Sequence, residues 1–384
     1  MRKPVVVYFG PDRTDAAVRR RCTQITRTGV RLIAFNFDRK QGDIPPSDDI
    51  SWDDVSLGSI SDGHFAMRIL KLFWSVLRVL RQWPTLRSAH IFYCRNLDLA
   101  LLGAVVRRLI ASQSRFVYEV LDVHPLCISN NLLGKWSRLT EKWVLQECDL
   151  LVISSEGYLR NYFSPVQAYD GPLFLMENRV PLEANELLAI EGCQHHRPSV
   201  PAMGEPWRIG FVGKLRCVKS LNILSELAER LGEKIEIVLR GIPQPHVKPV
   251  LDKMVSSQSN VFFEGPYLYP HELERVYRDI HLNWCIDLSD NHNAKWLLPN
   301  RLYEGGFFSI PALAVLETET GRIVQERGLG ISMQLPLLAS LEAFITSLTP
   351  ARYSCLVNLA SRVPKSQFVD TRQHECLFVA IMKQ

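Results

Sequence analysis

Short apolar runs alternate along the chain with segments whose apolar residues recur at helical spacing. Residues 15 to 28 show this spacing and separate two β-branched runs. The alternation continues through the first half of the chain, where the runs that predict strands are PVVVYFG, VRLIAFNF, AHIFYC, RFVYEVLDV and LLVISS. Buried apolar strands joined by helices predict a parallel sheet with helices on both faces.

The alternation stops once and then restarts. Residues 191 to 206, EGCQHHRPSVPAMGEP, are rich in His, Pro and Gly, a composition typical of a linker. Strands are predicted again after it in WRIGFVG, KIEIVLRG, NVFFEG and HLNWCID, with helical segments among them. We therefore predict two Rossmann-like lobes, residues 1–190 and residues 207–350, connected by the linker 191–206.

The composition is that of a globular protein. Of the 384 residues, 47% are apolar and 22% are charged, and the length predicts two domains. No run approaches the ~18 apolar residues of a membrane span, and the amino terminus becomes polar too early for a secretory signal, so we expect a cytoplasmic protein. Nine cysteines without a Cys-x-x-Cys pair predict buried thiols and no zinc site. The net charge of +5 is too small to indicate nucleic acid as a partner.

Ligands of open parallel sheets bind beyond the carboxyl ends of the strands, and one such loop is basic. The segment GFVGKLRCVKS ends a predicted strand and places Lys214, Arg216 and Lys219 just before a helix that should begin near Ser220. Cations beside the free N–H groups of a helix start predict an anion site that suits a diphosphate. A solvated basic loop is the alternative.

A second loop, LLPNRLYEGG, puts charge inside an apolar stretch. Pro299 and Asn300 suit a helix start, with Asn300 as the cap, and Arg301 adds a cation in the first turn. Glu304 follows one turn later and should face a cavity with hydroxyl or N–H donors, unless it is an ordinary exposed helix glutamate. The two glycines after Glu304 cost about 1 kcal/mol each relative to Ala, which predicts a close approach of backbone or ligand.

These segments carry a resemblance to a known family. The second lobe, from IGFVGKLRCVKSLNILSELAERLGEKIEIVLRG through NVFFEGPY to LPNRLYEGGFFSIPALAVLETETGRIVQERGLG, resembles a bacterial glycosyltransferase of the GT-B fold, most similar to glycosyltransferase family 4 and related exopolysaccharide sugar transferases. The first lobe agrees more loosely, through FVYEVLDVHP, RLTEKWVLQECDLLVISS and MENRVP. The resemblance implies an α/β protein of the GT-B type, two Rossmann-like lobes with a central cleft, in which residues 351–384 return to the first lobe.

The resemblance also implies that the second lobe binds a nucleotide diphosphate sugar. Lys214 and Lys219 would contact the diphosphate, Asn300 and Arg301 would lie at the donor phosphates, and Glu304 would hold the ribose hydroxyls. In this interpretation the glycines that follow let the ligand come near. Neither a metal ion nor a further cofactor is expected, because protein cations and helix dipoles can stabilise the leaving diphosphate.

One position departs from the family pattern. Many members carry a glutamate eight positions before the one matched by Glu304, and this chain has Trp296 there. Contact with the transferred sugar is therefore assigned to Asn293, Lys295 or Asp290. The amino-terminal loop YFGPDRTD also lacks the double glycine often found in the family, so the acceptor side is expected to differ.

The candidate catalytic base lies in the first lobe. The segment YEVLDVHP places Asp122 and His124 at the end of a predicted buried strand, where either could deprotonate an acceptor hydroxyl in an inverting transferase. A retaining enzyme needs no such base. Alternatively, Asp122 caps the next helix and His124 packs against Pro125. Glu119, on the opposite strand face, is a weaker candidate.

The first lobe also has a strongly basic region. Between residues 64 and 118 there are nine Lys and Arg residues and a single acidic one. If residues 65–83 form one helix, its apolar face packs inward and its other face carries Arg68, Lys71, Trp74, Arg78 and Arg81. This second face is either exposed to water or in contact with an anionic membrane that holds a lipid-linked acceptor.

The expected activity follows from these sites. We predict transfer of a hexose from a nucleotide diphosphate sugar to a hydroxyl of a lipid-linked oligosaccharide, during exopolysaccharide or surface polysaccharide assembly at the cytoplasmic face of the inner membrane. Two alternatives remain open, a sugar-nucleotide 2-epimerase of the same fold and a non-catalytic sugar-nucleotide-binding scaffold subunit. The basic, aromatic first lobe and the missing glutamate weigh against the epimerase.

Overall fold

The chain folds into two compact units. A computed structural model describes residues 3–13, 15–39, 51–60, 74–181, 200–202, 204–269 and 271–383. The first unit comprises Met1–Met176 together with Arg372–Gln384, and the second comprises Glu177–Thr371. Each unit is built around one parallel sheet, as the alternation of apolar runs and helical segments predicts.

The sheet of the first unit has, among the described residues, seven strands in the order β3-β2-β1-β4-β5-β6-β7. Every neighbouring pair is parallel, so the carboxyl ends of all the strands lie at one edge. The strands are β1 Val5–Gly10, β2 Arg31–Arg39, β3 Asp53–Ile60, β4 Ile91–Arg95, β5 Arg115–Val120, β6 Leu150–Ile153 and β7 Leu173–Leu175.

Helices connect these strands and cover both faces of the sheet. Asp15 caps the first helix by accepting hydrogen bonds from the backbone N–H groups of residues 17 and 18. Residues 74–80 are helical as well. The helices with defined bounds are α1 Ala16–Arg27, α2 Trp83–Arg87, α3 Leu97–Ile110, α4 Pro125–Ile128, α5 Leu132–Gln146, α6 Glu156–Tyr158, which continues as the π-helix Leu159–Phe163, and, near the carboxyl terminus, Gln373–Lys383.

The sheet of the second unit has six strands within the described ranges, in the order β10-β9-β8-β11-β12-β13. All the pairs are again parallel. Successive residues of β8 alternate between two core clusters, with Ile209 and Phe211 in one and Val212 in the other, as expected when both faces are covered. The strands are β8 Trp207–Leu215, β9 Ile235–Pro243, β10 Val261–Phe263, β11 Leu282–Trp284, β12 Ala312–Val315 and β13 Gly330–Met333.

The helices of the second unit follow the same strand–helix alternation. They are α7 Val218–Leu231, α8 Lys248–Ser257, α9 Leu273–Arg278, α10 Asn293–Trp296, α11 Asn300–Phe307, α12 Glu319–Arg327, α13 Leu337–Thr346 and α14 Pro350–Ser361, with short 3-10 helices at Gly232–Lys234 and Lys365–Gln367. The carboxyl-terminal helix of the first unit, Gln373–Lys383, is α15.

The division between the units follows side-chain packing rather than linker composition. The sequence placed the linker at 191–206, of which 191–199 and 203 lie outside the described residues. The second unit already begins at Glu177, because Val180 pairs with Val369 and lies in a core cluster of that unit. Within 351–384, most of α14 packs with the second unit through Tyr353, and the residues from Arg372 onward group with the first.

Candidate active site

The basic loop after β8 meets the carboxyl end of β11 in the second unit. Lys214 is exposed near the end of β8. Nη2 of Arg216 lies 2.9 Å from Oδ2 of Asp287, and the Lys219 ammonium pairs with Asp290. Two of the three cations that the sequence singled out are therefore held by carboxylates of the loop that follows β11.

Asp287 is a part of this site to which the sequence assigned no role. Its Oδ1 accepts hydrogen bonds from the Ser289 backbone N–H at 3.0 Å and from the Ser289 hydroxyl at 2.5 Å. Burial opposes ionisation, but these hydrogen bonds and the charge of Arg216 outweigh it and lower the pKa of Asp287 below its ordinary value. The ionised carboxylate fixes the loop that leads toward Asn293.

Helix α7 begins at Val218, two residues before the predicted start. The Cys217 side chain caps it, with Sγ accepting from the Ser220 backbone N–H at 3.4 Å. Lys219 is exposed in the first turn, where the free N–H groups and the helix dipole favour an anion. The arrangement suits a diphosphate.

The start of α11 differs from the prediction. Pro299, in an extended conformation, is the N-cap residue, and Asn300 is the first helical residue, exposed and without a capping role. Asn300 as the cap is therefore wrong. The physical reason is that the extended backbone required just before a helix is one that Pro299 adopts readily.

Arg301 is anchored at the carboxyl ends of two strands. Its Nη1 lies 3.5 Å from the Val212 carbonyl oxygen and its Nη2 lies 3.3 Å from that of Ile286. The guanidinium also lies over the Phe211 ring, 4.7 Å from its centroid. These contacts hold a permanent cation at the edge of the sheet where β8 and β11 end.

Glu304 is buried, so the alternative of an exposed helix glutamate is wrong. Its Oε2 accepts a 2.8 Å hydrogen bond from the Tyr277 hydroxyl. Burial and the neighbouring Glu304 charge raise the pKa of Tyr277 well above its ordinary value, so the phenol stays protonated and remains a donor. Tyr267 also lies near this carboxylate, and burial followed by the Glu304 charge raises its pKa in the same way.

The glycines after Glu304 serve the packing of the helix. A Cβ atom on Gly305 would overlap with Nδ2 of Asn283, and one on Gly306 would overlap with the Phe368 ring. Asn283 Nδ2 in turn donates a 2.7 Å hydrogen bond to the Arg301 carbonyl oxygen and so ties α11 to β11. A close approach of backbone or ligand was predicted, but the groups that approach the two glycines are the side chains of Asn283 and Phe368, which occupy the space assigned to a ligand.

The residues assigned to the transferred sugar lie close in the chain to a small hollow of the second unit, but none of them lines it. Asn293 is buried at the start of α10, while Lys295 and Asp290 are exposed. The hollow lies at the carboxyl ends of β11 and β12. Its lining residues are Cys285, Ile286, Asp287, Ala294, Leu297, Val315, Thr318 and Thr320.

Glu177, in the motif MENRVP, is a buried carboxylate that contacts α11. Glu177 Oε1 accepts a 3.2 Å hydrogen bond from the Tyr303 hydroxyl and pairs with Arg327 at 3.2 Å. Its Oε2 lies 2.6 Å from Nη2 of Arg179. Sequence analysis noted the motif but not its function, which is to attach the start of the second unit to α11 and α12.

Asp122 and His124 follow β5 in the first unit. The Tyr158 hydroxyl donates to Oδ1 of Asp122 at 3.2 Å, and the carboxylate is exposed. His124 caps α4, because its Nδ1 accepts from the Leu126 backbone N–H at 3.3 Å. A neutral imidazole whose Nδ1 is an acceptor carries its proton on Nε2. Asp122 is therefore the better placed of the two to receive a proton.

Glu119 is not available as a base. It is 1% exposed, with Oε1 2.6 Å from Nη2 of Arg21 and Oε2 3.1 Å from Nε of Arg95. Burial opposes its ionisation, but the charges of the two arginines outweigh burial and lower the pKa of Glu119 to about 2. The residue belongs to a buried ion cluster that joins α1, β4 and β5.

The basic surface of the first unit is described in part. Trp74 and Arg81 are exposed, and Arg78 Nη1 donates a 2.6 Å hydrogen bond to the Leu57 carbonyl oxygen in β3. Arg68 and Lys71 lie outside the described residues. Arg78 is therefore exposed and also attaches its helix to β3.

The described residues contain neither a metal-binding cluster nor a membrane-spanning helix. Across the described ranges, no group of three or more His, Cys, Asp or Glu side chains is arranged to hold a metal ion. None of the helices in the part of the chain that the structure describes is long and apolar enough to cross a membrane.

Comparison with known proteins identifies the family. No family model matches the chain. The succinoglycan biosynthesis protein ExoL of Rhizobium meliloti strain 1021 is 33% identical over 368 residues, which cover 94% of this chain and 88% of ExoL. The chain belongs to the ExoL family.

Solved structures show the same fold. Sucrose-phosphate synthase from Thermosynechococcus elongatus superposes with a TM-score of 0.70 at 11% identity, over 99% of both chains. HepE of Anabaena, solved in complex with UDP and glucose, gives 0.67 at 11% identity over 99% of this chain and 100% of its own. A UDP-GlcNAc 2-epimerase from Neisseria meningitidis gives 0.57 at 12% identity, over 99% of this chain and 100% of its own. These structures confirm the predicted GT-B fold, and the ExoL relationship agrees with the predicted resemblance to proteins of exopolysaccharide biosynthesis.

Proposed function

We propose that this ExoL-family protein transfers a hexose from a nucleoside diphosphate donor to a hydroxyl of a lipid-linked oligosaccharide. The observation that carries the proposal is the edge of the second sheet, where Arg301 is anchored on the ends of β8 and β11 and the buried Glu304 lies one turn further along α11. A cation and a carboxylate at this spacing match the two parts of a nucleoside diphosphate, the phosphates and the ribose hydroxyls.

The diphosphate would bind at the start of α7. Lys214 and Lys219 are exposed there, and Lys219 is held by Asp290, an exposed partner that an arriving phosphate can replace. As the bond between sugar and phosphate breaks, negative charge grows on the leaving diphosphate, and these cations together with Arg301 stabilise it. Under this proposal the reaction needs no metal ion.

The sugar would lie beside the start of α10, where Asn293 and Lys295 would hydrogen-bond its hydroxyls. In an inverting transfer the acceptor oxygen attacks the anomeric carbon as its proton passes to a base. Asp122 is the proposed base, with Tyr158 holding the carboxylate in position. The acceptor would reach it at the cytoplasmic face of the inner membrane.

Nucleotide binding tests the proposal first. Thermal unfolding is measured with UDP, GDP, CDP and ADP, beginning with UDP because the similar HepE protein was solved with UDP and glucose. One of them should raise the melting temperature by mass action. The increase should shrink in Glu304→Gln and persist in Glu226→Gln, which alters an exposed glutamate paired with Arg230. No increase with any nucleotide would contradict the proposal.

An assay without acceptor separates the transferase from the epimerase alternative. A 2-epimerase converts a UDP-N-acetylhexosamine on its own, so proton NMR of UDP-GlcNAc incubated with the protein would show a second sugar nucleotide. The transferase proposal expects no second sugar nucleotide to form.

A further inference from the structure

Helix α5 has one face that no described residue covers. Its other face is buried through residues that include Glu141, Val144 and Leu145. The uncovered face carries four large apolar side chains, and their exposed fractions are 74% for Leu132, 57% for Leu133, 69% for Trp136 and 60% for Leu139. A tryptophan and three leucines this exposed within two turns form a patch that calls for a binding partner.

Apolar and basic side chains occupy separate positions on the exposed face of α5. Leu132, Trp136 and Leu139 follow one another at spacings of four and three residues and form a single stripe. Lys135 and Lys142, both exposed, lie along one flank of this stripe. Within α5, which is described throughout, the sole acidic residue, Glu141, points to the buried side. We call these four apolar residues and two lysines the α5 surface.

The helix is held firmly in this orientation. Oε1 of Glu141 accepts a 3.0 Å hydrogen bond from the Tyr118 hydroxyl, and its Oε2 accepts from Gln167 Nε2 at 2.7 Å and from the Tyr162 hydroxyl. A rotation of α5 that buried Trp136 would pull Glu141 out of this network. The apolar stripe is therefore a stable surface feature rather than a misplaced core face.

We infer that the α5 surface docks the protein on an anionic membrane. Tryptophan and leucine side chains on a helix can insert at the level of the lipid headgroups, and lysines beside them pair with anionic lipids. The charge pattern favours this partner, because two lysines border the stripe and no carboxylate is exposed on α5 between Leu132 and Gln146.

The position of the surface agrees with a lipid-linked acceptor, and in this respect the inference rests on the proposed function. Helix α4 packs against α5, and its capping residue His124 lies two positions after Asp122. The amino-terminal end of α5 is thus close in the chain to the proposed base at the end of β5. Docking there would bring a membrane-bound hydroxyl to the same edge of the first sheet.

One further partly exposed tryptophan, Trp83, lies in a helix on the same side of this sheet. Helix α2, which begins with the half-exposed Trp83, packs against α3, and α3 packs against α5. The membrane surface predicted from the sequence, of which Trp74, Arg78 and Arg81 are described, precedes α2 in the chain. The α5 surface was not singled out from the sequence, and its four apolar side chains are each more than half exposed.

Vesicle co-sedimentation tests the inference with the full-length protein. Vesicles of phosphatidylethanolamine with phosphatidylglycerol are compared with vesicles of phosphatidylcholine alone, at low and high salt. The protein should sediment with the anionic vesicles and be released by salt, because the lysine contribution is electrostatic. Leu132→Ser/Trp136→Ser should weaken the partition more than about tenfold. Lys135→Glu/Lys142→Glu should weaken it by a similar factor.

Matched controls change similar residues elsewhere. Val379→Ser removes an exposed apolar side chain from α15, and Lys234→Glu/Lys253→Glu reverses two exposed charges in the second unit. Both controls should sediment like the unmodified protein. Since all the altered residues are exposed, every variant should keep the melting temperature of the unmodified protein, which verifies folding.

Three outcomes would overturn the inference. They are no sedimentation with anionic vesicles, equal sedimentation of the α5 variants and the unmodified protein, or a dimer in analytical ultracentrifugation that Leu132→Ser/Trp136→Ser dissociates, since a second copy would then cover the surface. The shift in melting temperature caused by nucleotide, measured on the same samples, distinguishes a failure of membrane docking from a failure of the proposed function. A normal nucleotide shift without lipid binding rejects membrane docking alone, whereas no nucleotide shift rejects the proposed function whatever the vesicles show.

Discussion

The Tyr277 hydroxyl donates a 2.8 Å hydrogen bond to Oε2 of Glu304, the carboxylate that the family resemblance assigns to the ribose. Both residues are buried in the second unit, and Tyr277 lies in α9 while Glu304 lies in α11. One carboxylate oxygen is thus occupied by the protein itself, which fixes the direction of the side chain before any ligand arrives.

Loss of this hydrogen bond should be costly. We expect Tyr277→Phe to lower the free energy of unfolding by about 1–3 kcal/mol, because a buried carboxylate loses its partner. The control is Tyr353→Phe, since the buried Tyr353 hydroxyl makes no hydrogen bond to any described residue, and its removal should cost little. The free energy of unfolding of the two variants is measured in urea. Equal losses would show that the hydrogen bond to Glu304 contributes nothing to stability.

The ion cluster around Glu119 should make stability depend on pH. The folded pKa of about 2 lies below the ordinary value of 4.5, so the stabilisation is complete above about pH 4.5 and is lost as the pH falls toward 2. Glu119→Gln leaves Arg21 and Arg95 buried without their counter-ion, and we expect a loss of about 3–5 kcal/mol at pH 7 together with a flatter dependence below pH 4.5.

Urea unfolding at a series of pH values, from pH 7 down to the lowest pH at which the protein is folded, measures the loss of stability at pH 7 and the dependence of stability on pH. Glu226→Gln, in an exposed pair with Arg230, should change stability by less than about 1 kcal/mol and leave the acid dependence unaltered. An unchanged acid dependence in Glu119→Gln would show that the cluster is not its source.

The glycines of α11 should matter for stability and not for ligand binding. Gly306→Ala overlaps with the Phe368 ring, so we expect a loss of about 1–3 kcal/mol in the free energy of unfolding. Phe368→Leu in the same chain should recover part of the loss, since the smaller side chain makes room. Reduced nucleotide binding by Gly306→Ala at unchanged stability would instead restore the idea that a ligand approaches there.

Two substitutions distinguish the role of Asp122, the proposed base, from that of its neighbour His124. Asp122→Asn should lower the transfer rate by about 10²- to 10⁴-fold, the usual contribution of a general base, without changing the thermal shift with nucleotide. His124→Asn keeps a side-chain oxygen that can cap α4 and should retain most of the activity, because the imidazole Nδ1 serves as a helix cap. If His124→Asn abolishes transfer and Asp122→Asn does not, the assignment is reversed.

The sequence by itself determined the type and order of most elements. Strand and helix periodicity is a local property, so PVVVYFG predicted β1 and KIEIVLRG predicted β9, and the parallel two-sheet architecture followed. Strand β3, Asp53–Ile60, was not predicted, because DDVSLGSI has few of the apolar residues that mark a buried strand. It forms by pairing with the edge of β2.

Partners distant in sequence were decided only by the tertiary structure. The periodicity of one segment does not show that Arg21 pairs with Glu119 or that Asn283 packs against Gly305, since each pair is brought together by the folding of segments between them. The same reason explains α5. Its sequence contains apolar residues on more than one side, and only the buried Glu141 network shows which of them face outward.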